Sequence, residues 1–98
     1  MKVRFTWDRA KAERNQRIHG VSFETAAEVF DDPNHVAGDN YFIASAGEQR
    51  YQVIGMTRKL VLLLVVFVER QPDIDVIHLI SARRAVDYEE SIYTDQLR

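Results

Sequence analysis

Cysteine is absent from the 98-residue chain, which excludes disulfides, thiolate metal ligands and a cysteine nucleophile together. Proline occurs twice and glycine four times, and the scattered glycines form no glycine-rich loop that cradles phosphate groups. No G-x-S-x-G nucleophile elbow is present. Long hydrophobic runs are missing too: the longest, residues 60–68, is about half the ~20 residues that a membrane helix needs. That run therefore predicts a buried strand, and no membrane partner is expected.

Metal sites and targeting signals are also not apparent. His19, His35 and His78 show no i,i+4 or H-x-E spacing with a carboxylate partner, so no metal site is predicted. Because the chain also has no glycine-rich phosphate loop, no bound cofactor is predicted either. The first ten residues turn charged at once and lack the apolar region of a signal peptide. Together with the missing cysteine, this predicts a cytoplasmic location.

Charge is distributed in blocks along the chain. Two segments are basic: residues 1–20 hold six basic and two acidic side chains, and residues 49–84 hold six basic and three acidic ones. The other two are acidic: residues 21–48 hold six acidic side chains and no basic one, and residues 85–98 hold four acidic side chains and one basic one. The net charge is −2. Either the blocks interleave in the fold and cancel, or the molecule presents a basic face despite its acidic total.

Hydrophobic periodicity predicts one α+β domain over residues 1–98. Asp8 and Gly20 are expected to bound the first helix, and Ser22 and Ser81 to cap the others. Tyr41-Phe42-Ile43 form either an extra edge strand or an exposed loop. The last three strands have short connections, which favours a twisted antiparallel sheet, with a turn at Gln71-Pro72-Asp73. The predicted elements are a strand at 3–7, helices at 9–18 and 23–30, strands at 50–56, 60–68 and 74–81, and a helix at 82–96.

The candidate chemistry gathers on the last strand pair and the final helix. Glu69 ends the central strand and His78 lies within the next. If Arg83 and Arg84 open a helix, its free backbone amides and the two guanidinium groups suit a phosphate. The alternative is that both arginines pair with Asp87 and other acids on the surface.

These residue types are the ones that RNA cleavage without a metal needs: a base for the ribose 2′-OH, an acid for the leaving 5′ oxygen, and cations for the charge on phosphorus. His78 or Glu69 fits the first two roles, unless His78 is a core histidine. On the first helix, one side carries Lys11, Asn15, Ile18 and His19 at helical spacing. The candidate cations are Arg83, Arg84, Arg58 and Lys11, and Trp7 or Tyr51 is a candidate for stacking on a base, with a core position as the alternative for Trp7.

Several segments, in this order along nearly the whole chain, resemble the BrnT family of bacterial toxins. They are Phe5-x-Trp7-Asp8-x-x-Lys11, Asn15-x-x-x-His19-Gly20-Val21-x-Phe23, Val29-Phe30-x-Asp32-Pro33, Glu48-x-Arg50, Ile54-Gly55, Glu69-Arg70, Ile80-Ser81-Ala82-Arg83-Arg84-Ala85, Glu89 and Tyr93. The resemblance implies a RelE-like fold and a ribonuclease toxin of a type II toxin–antitoxin system, which blocks translation when free. It also implies a ribbon-helix-helix antitoxin, DNA contact only through that antitoxin, and a dimer or a 2:2 complex.

From the residue chemistry together with this resemblance, the predicted site has two parts. The catalytic residues are Glu69, His78, Arg83 and Arg84, and the substrate-binding residues are Lys11, His19, Arg50, Arg58 and Trp7.

The chain also departs from the family pattern. His78 stands where the family usually has arginine, and Asp87 and Glu90 lie in a final helix that is often basic in relatives. The acidic helix favours an alternative, in which the chain is a degenerate toxin that binds its antitoxin without cleaving RNA. An unrelated nucleic-acid-binding scaffold is a third hypothesis, and the net charge of −2 argues against it.

Overall fold

The computed structural model describes residues 3–43, 48–69 and 75–98. A five-stranded mixed sheet separates two layers of helix. The elements are β1 Arg4–Thr6, α1 Arg9–His19, α2 Phe23–Ala27, a 3-10 turn at Glu28–Asp31, β2 Val36–Ile43, β3 Glu48–Met56, β4 Leu62–Glu69, β5 Val76–Arg84 and α3 Asp87–Asp95.

The sheet has the order β1-β5-β4-β3-β2. Strands β2 to β5 form the antiparallel meander that the sequence predicted, and Tyr41-Phe42-Ile43 belong to the edge strand β2. The predicted antiparallel sheet is confirmed for these four strands, while β1 pairs parallel with β5 and makes the sheet mixed. The intervening helices and strands carry the chain across the sheet, so its first strand lies beside its last. The predicted turn at residues 71–73 lies outside the described residues.

Local capping fixes the first two helices where the sequence placed them. The Asp8 carboxylate accepts a hydrogen bond from the backbone N–H of Lys11 at 3.0 Å, and the Ser22 hydroxyl accepts one from that of Thr25 at 3.1 Å. Gly20 ends α1 with a φ of 71°, a left-handed conformation that costs glycine no Cβ clash.

The final helix begins later than the sequence predicted. Ser81 is not its cap, because β5 continues to Arg84, which pairs with Leu63. The long apolar strand β4 needs a hydrogen-bonded neighbour along its whole length, and that pairing overrides local helix propensity. Arg83 and Arg84 therefore lie at a strand end and not at a helix N-terminus.

Strand β4 is buried on both faces, as its apolar run predicted. Leu63, Val65 and Phe67 pack with α1 and α2 in the larger core, while Leu64 packs with Ile54 and Tyr93 of α3 on the other face. The longest described helix has 11 residues, so no helix in the described ranges is long and apolar enough to cross a membrane.

The C-terminal helix is tied to the rest of the fold by Tyr93 and Asp32. The Tyr93 hydroxyl donates to the Asp32 carboxylate at 2.7 Å, and the backbone N–H of Met56 donates to the same oxygen at 2.8 Å. Burial opposes ionisation of Asp32, but these donors and that of Asn34 hold its pKa below the usual value. Burial and the neighbouring carboxylate raise the pKa of Tyr93 to about 12.

Candidate active site

A bulge in β5 decides which side chains share a face of the sheet. His78 pairs with Val68 and Ser81 with Val66, so one extra residue stands in β5 between these two pairs. Simple alternation would place Arg84 on the His78 face. The bulge instead places His78, Ser81 and Arg83 together and moves Arg84 to the opposite face.

A groove lined by basic side chains runs between α1 and the bulged part of β5. We call it the basic groove; its lining residues are Lys11, Arg14, Asn15, Ile18, His19, Ile80 and Ser81. The side of α1 that carries Lys11, Asn15, Ile18 and His19 thus faces the groove, and Arg14 adds a second cation beside Lys11. Throughout the described part of the chain, neither Lys11 nor Arg14 forms an ion pair. Both charges are therefore available to an anionic ligand.

Asn15 holds the two walls of this groove together. Its amide nitrogen donates to the carbonyl oxygens of Val21 at 3.0 Å and Ala82 at 2.9 Å, and its side-chain oxygen accepts from the Ala82 N–H at 3.1 Å. The side chain is buried, and two of the three bonds go to the N–H and C=O of Ala82, on the edge of β5 beyond its pairing with β1 at residues 76–78. Asn15 therefore fixes the position of α1 against β5.

Next to the basic groove lies a half-buried polar surface that we call the polar sheet face, formed by Arg50, Gln52, His78 and Ser81. Strand register places Gln52, Val66 and Ser81 in one row across the sheet, and Arg50 lies two residues from Gln52 on the same face. The His78 Nδ1 and Thr6 Oγ1 atoms are 2.8 Å apart, which links β5 to β1 through an imidazole. His78 is half-buried and is not part of either hydrophobic core.

Arg83 shares this face, but its charge is already partnered. Its guanidinium donates two hydrogen bonds of 2.9 Å to the Glu89 carboxylate, whose side chain is 3% exposed. Burial opposes ionisation of Glu89, but the Arg83 bonds, the Val86 backbone N–H and the Arg83 charge hold its pKa below the usual value. The same bonds raise the pKa of Arg83. The pair joins the end of β5 to the first turn of α3.

Other predicted site residues lie apart from the groove. Glu69 pairs in register with Ile77, whose side chain packs on the larger core, so Glu69 and His78 project from opposite faces. Arg84 pairs with Leu63, also on the core face.

Two more predicted substrate-binding residues have partners elsewhere. Arg58 lies in the β3–β4 turn, 3.8 Å from the Glu28 carboxylate and 3.7 Å from that of Asp31. The half-buried Trp7 packs edge-on against Phe23, with ring centroids 5.9 Å apart. The fold thus places Lys11 and His19 on the basic groove and His78 and Arg50 on the adjoining polar sheet face. Glu69, Arg84, Arg58 and Trp7 lie apart from both.

Sequence reasoning did not select Arg14, Asn15 and Ser81 as site residues. Arg14 lies three residues beyond Lys11 on α1, a helical neighbour whose role depends on which side faces β5. Asn15 is a poor former of helix interiors, which was a usable signal for a tertiary role. In the ranges that the structure covers, no three His, Asp or Glu side chains converge in a way that would hold a metal ion.

Comparison with known proteins places the chain in a family. The sequence model described as "Ribonuclease toxin, BrnT, of type II toxin-antitoxin system" matches residues 7–89. The fold is similar to the 1.1 Å crystal structure of the Brucella abortus ribonuclease toxin BrnT, with a TM-score of 0.64 and 20% sequence identity over 88% of this chain and 100% of that one. No functionally curated protein sequence matches the chain. The match over residues 7–89 shows that this chain belongs to the BrnT family of ribonuclease toxins of type II toxin–antitoxin systems.

Proposed function

We propose that this chain is an endoribonuclease toxin that cleaves RNA in the cytoplasm without a metal ion, blocks translation, and is neutralised by a ribbon-helix-helix antitoxin. Family membership supports the toxin role and a protein antitoxin. The observation that carries the choice of site is the bulge in β5, because it sets Ser81 on the wall of the basic groove and on the His78 face at once.

Substrate binding follows from the charges of the groove. An RNA phosphate at Ser81 lies between α1 and β5, where Lys11 and Arg14 carry unpaired positive charge. Cations held at that position stabilise the extra negative charge that develops on phosphorus. Arg50 and Gln52 extend the polar surface across the sheet, in the direction that a neighbouring nucleotide would follow.

Cleavage needs one proton acceptor and one proton donor. In the proposed reaction the ribose 2′ oxygen attacks phosphorus, the bond from phosphorus to the 5′ oxygen breaks, and a 2′,3′-cyclic phosphate and a 5′-hydroxyl form. One imidazole takes the 2′-OH proton and the other protonates the 5′ oxygen, because imidazole can do either near neutral pH. His19 on the groove and His78 beside it take these roles, and Glu69 has none because it projects from the opposite face.

Purified chain and a fluorescent single-stranded RNA test the proposal directly. We expect cleavage to persist in EDTA and to end in a 2′,3′-cyclic phosphate. Lys11→Ala and Arg14→Ala should each lower RNA affinity and reduce the salt slope by about 0.7. Arg17→Ala is the matched control, because it removes the same charge from an exposed residue of α1 that is not among the described residues lining the groove.

A folded wild-type chain that cleaves no RNA would refute the proposed endoribonuclease function. An unchanged rate in His19→Ala and His78→Ala would refute the assigned roles. A cell-free translation assay with and without the co-expressed antitoxin tests whether the chain blocks translation and whether the antitoxin neutralises it.

A second function is favoured by the Arg83–Glu89 pair. The chain is then a degenerate toxin that binds its antitoxin without cleaving RNA, because Glu89 neutralises a predicted active-site cation and α3 carries further acids. Tight antitoxin binding with no growth arrest on expression would distinguish this function from the first.

A further inference from the structure

A second groove lies between α3 and the edge of the sheet formed by β2. We call it the α3 groove; its lining residues are Val36, Ala37, Gly38, Gln52, Ile54, Leu64, Tyr88, Glu89 and Ile92. Its cavity of about 170 Å³ is smaller than the ~300–1,000 Å³ typical of sites for small organic ligands. It suits one or two inserted side chains of another protein.

Exposed apolar side chains concentrate on α3 and the residues next to it, and two of them line this groove. Tyr88 is 67% exposed and Ile92 44%, and they lie one helical turn apart on α3. Of the seven large hydrophobic residues that are exposed in the described ranges, four fall within residues 86–97. Single exposed apolar residues are ordinary, but a cluster on one helix beside a groove marks a contact surface.

The charges around the groove select the kind of partner. Among the described residues, no lysine or arginine lines it, and α3 carries Asp87, Glu90 and Asp95 in addition to the partnered Glu89. Asp95 also lies 3.7 Å from Arg98, but both side chains are exposed, so this pair is weak. Such a surface repels the phosphates of RNA and attracts a basic protein segment.

We propose that the α3 groove is the surface on which the antitoxin docks, through an amphipathic segment with basic residues. Its apolar side chains enter the groove against Tyr88 and Ile92, and its lysine or arginine side chains lie beside Asp87 and Asp95. This inference rests on the proposed function as an antitoxin-neutralised toxin, and it assigns the two partners to different surfaces. The α3 groove adjoins the polar sheet face at Gln52, so a docked segment obstructs RNA there without entering the basic groove.

Three variants of the full chain test the docking surface, with the antitoxin purified from the co-expressed complex as the probe. Ile92→Ser removes an apolar contact, and Asp87→Lys/Asp95→Lys reverses the charge. Leu60→Ser is the matched control, because Leu60 is 79% exposed in the β3–β4 turn. The dissociation constant is measured by titration calorimetry at two salt concentrations.

We expect Ile92→Ser to weaken antitoxin binding about tenfold or more, and the charge reversal to weaken it mainly at low salt. Leu60→Ser and Lys11→Ala/Arg14→Ala should bind within twofold of wild type. Binding within twofold for both α3 variants would overturn the proposal, as would an equally large loss in Lys11→Ala/Arg14→Ala.

Two further measurements separate this inference from its alternatives. Sedimentation of the chain without antitoxin should give the same oligomeric state for wild type and Ile92→Ser. A wild-type dimer that Ile92→Ser dissociates would show that a second copy of the chain occupies the α3 groove, and would overturn the proposal. RNA cleavage by the free toxin should be the same in Ile92→Ser and wild type. If neither cleaves RNA, the enzymatic function fails, while the binding data still decide the docking surface.

Discussion

Replacing Glu89 with glutamine should lower stability and raise RNA affinity at the same time. The substitution keeps the shape of the side chain but removes the charge that holds Arg83 through two hydrogen bonds of 2.9 Å. Breaking a fully buried ion pair costs about 3–5 kcal/mol. The Arg83 side chain is 37% exposed, so water recovers part of that loss, and we expect a cost of about 2.5 kcal/mol.

The expected shift in melting temperature follows from the size of the chain. An unfolding entropy of about 2.1 cal/mol/K per residue gives about 0.2 kcal/mol/K for 98 residues, so the loss corresponds to about 12 °C. Urea unfolding measures the free energy and thermal unfolding the temperature. Glu90→Gln makes the same chemical change at the neighbouring exposed residue and should stay within 0.5 kcal/mol of wild type.

The functional half of this prediction concerns the released guanidinium. Arg83 shares the sheet face of His78 and Ser81, so its freed charge adds a phosphate contact and steepens the salt dependence of RNA binding by about 0.7. A Glu89→Gln protein as stable as wild type would refute the structural reasoning. A destabilised protein with unchanged RNA affinity would show that Arg83 does not reach the RNA.

Three other substitutions and one acid titration test the packing around the sheet. Tyr93→Phe should lower the free energy of unfolding by about 2 kcal/mol, because it removes the hydrogen bond to Asp32. The folded-state pKa of Tyr93 is raised, so the wild type should lose stability as the pH rises from 10 to about 12. Tyr93→Phe should not show this loss, which urea unfolding across that range measures. The pKa of Asp32 is lowered in the folded state, so its effect on stability has the opposite pH dependence. Asp32 stabilises the fold above its unfolded pKa of about 4, and this stabilisation is lost as the pH falls further. Acid titration followed by circular dichroism measures the loss. Asn15→Ala leaves buried backbone groups unpaired and should cost about 2–4 kcal/mol in urea unfolding, with RNA cleavage falling as the basic groove loosens. Gly55→Ala would set a Cβ 2.9 Å from the backbone oxygen of Val29 and should cost about 1–3 kcal/mol by the same measurement.

Local signals predicted the parts of the fold that depend on neighbouring residues. Asp8 and Gly20 bound α1 because a side-chain acceptor and a left-handed glycine satisfy the ends of a helix wherever it packs. The apolar run of β4 predicted a central strand, because only burial on both faces accommodates it.

The features that the sequence did not reveal all depend on partners far along the chain. Ser81 followed by alanine and arginines resembles a helix start, but pairing with β4 keeps these residues extended. The true N-cap is Val86, an apolar residue, and Glu89 satisfies its backbone N–H from within the helix at 2.9 Å. The bulge and the parallel pairing of β1 also arise from tertiary contacts, so the distribution of site residues over the two faces could not be read from alternation alone.

The hydrogen bonds between Asn15 and Ala82 also have a consequence for the synthesis of this protein. The two residues are separated by 67 positions, so the β5 wall against which Asn15 holds α1 does not exist until residue 82 has been made. A nascent or truncated chain that ends before residue 82 lacks one side of the basic groove. Under the proposed function, such incomplete chains carry Lys11 and Arg14 without the opposite wall of the groove, so we expect them to cleave no RNA while the toxin is being made beside it.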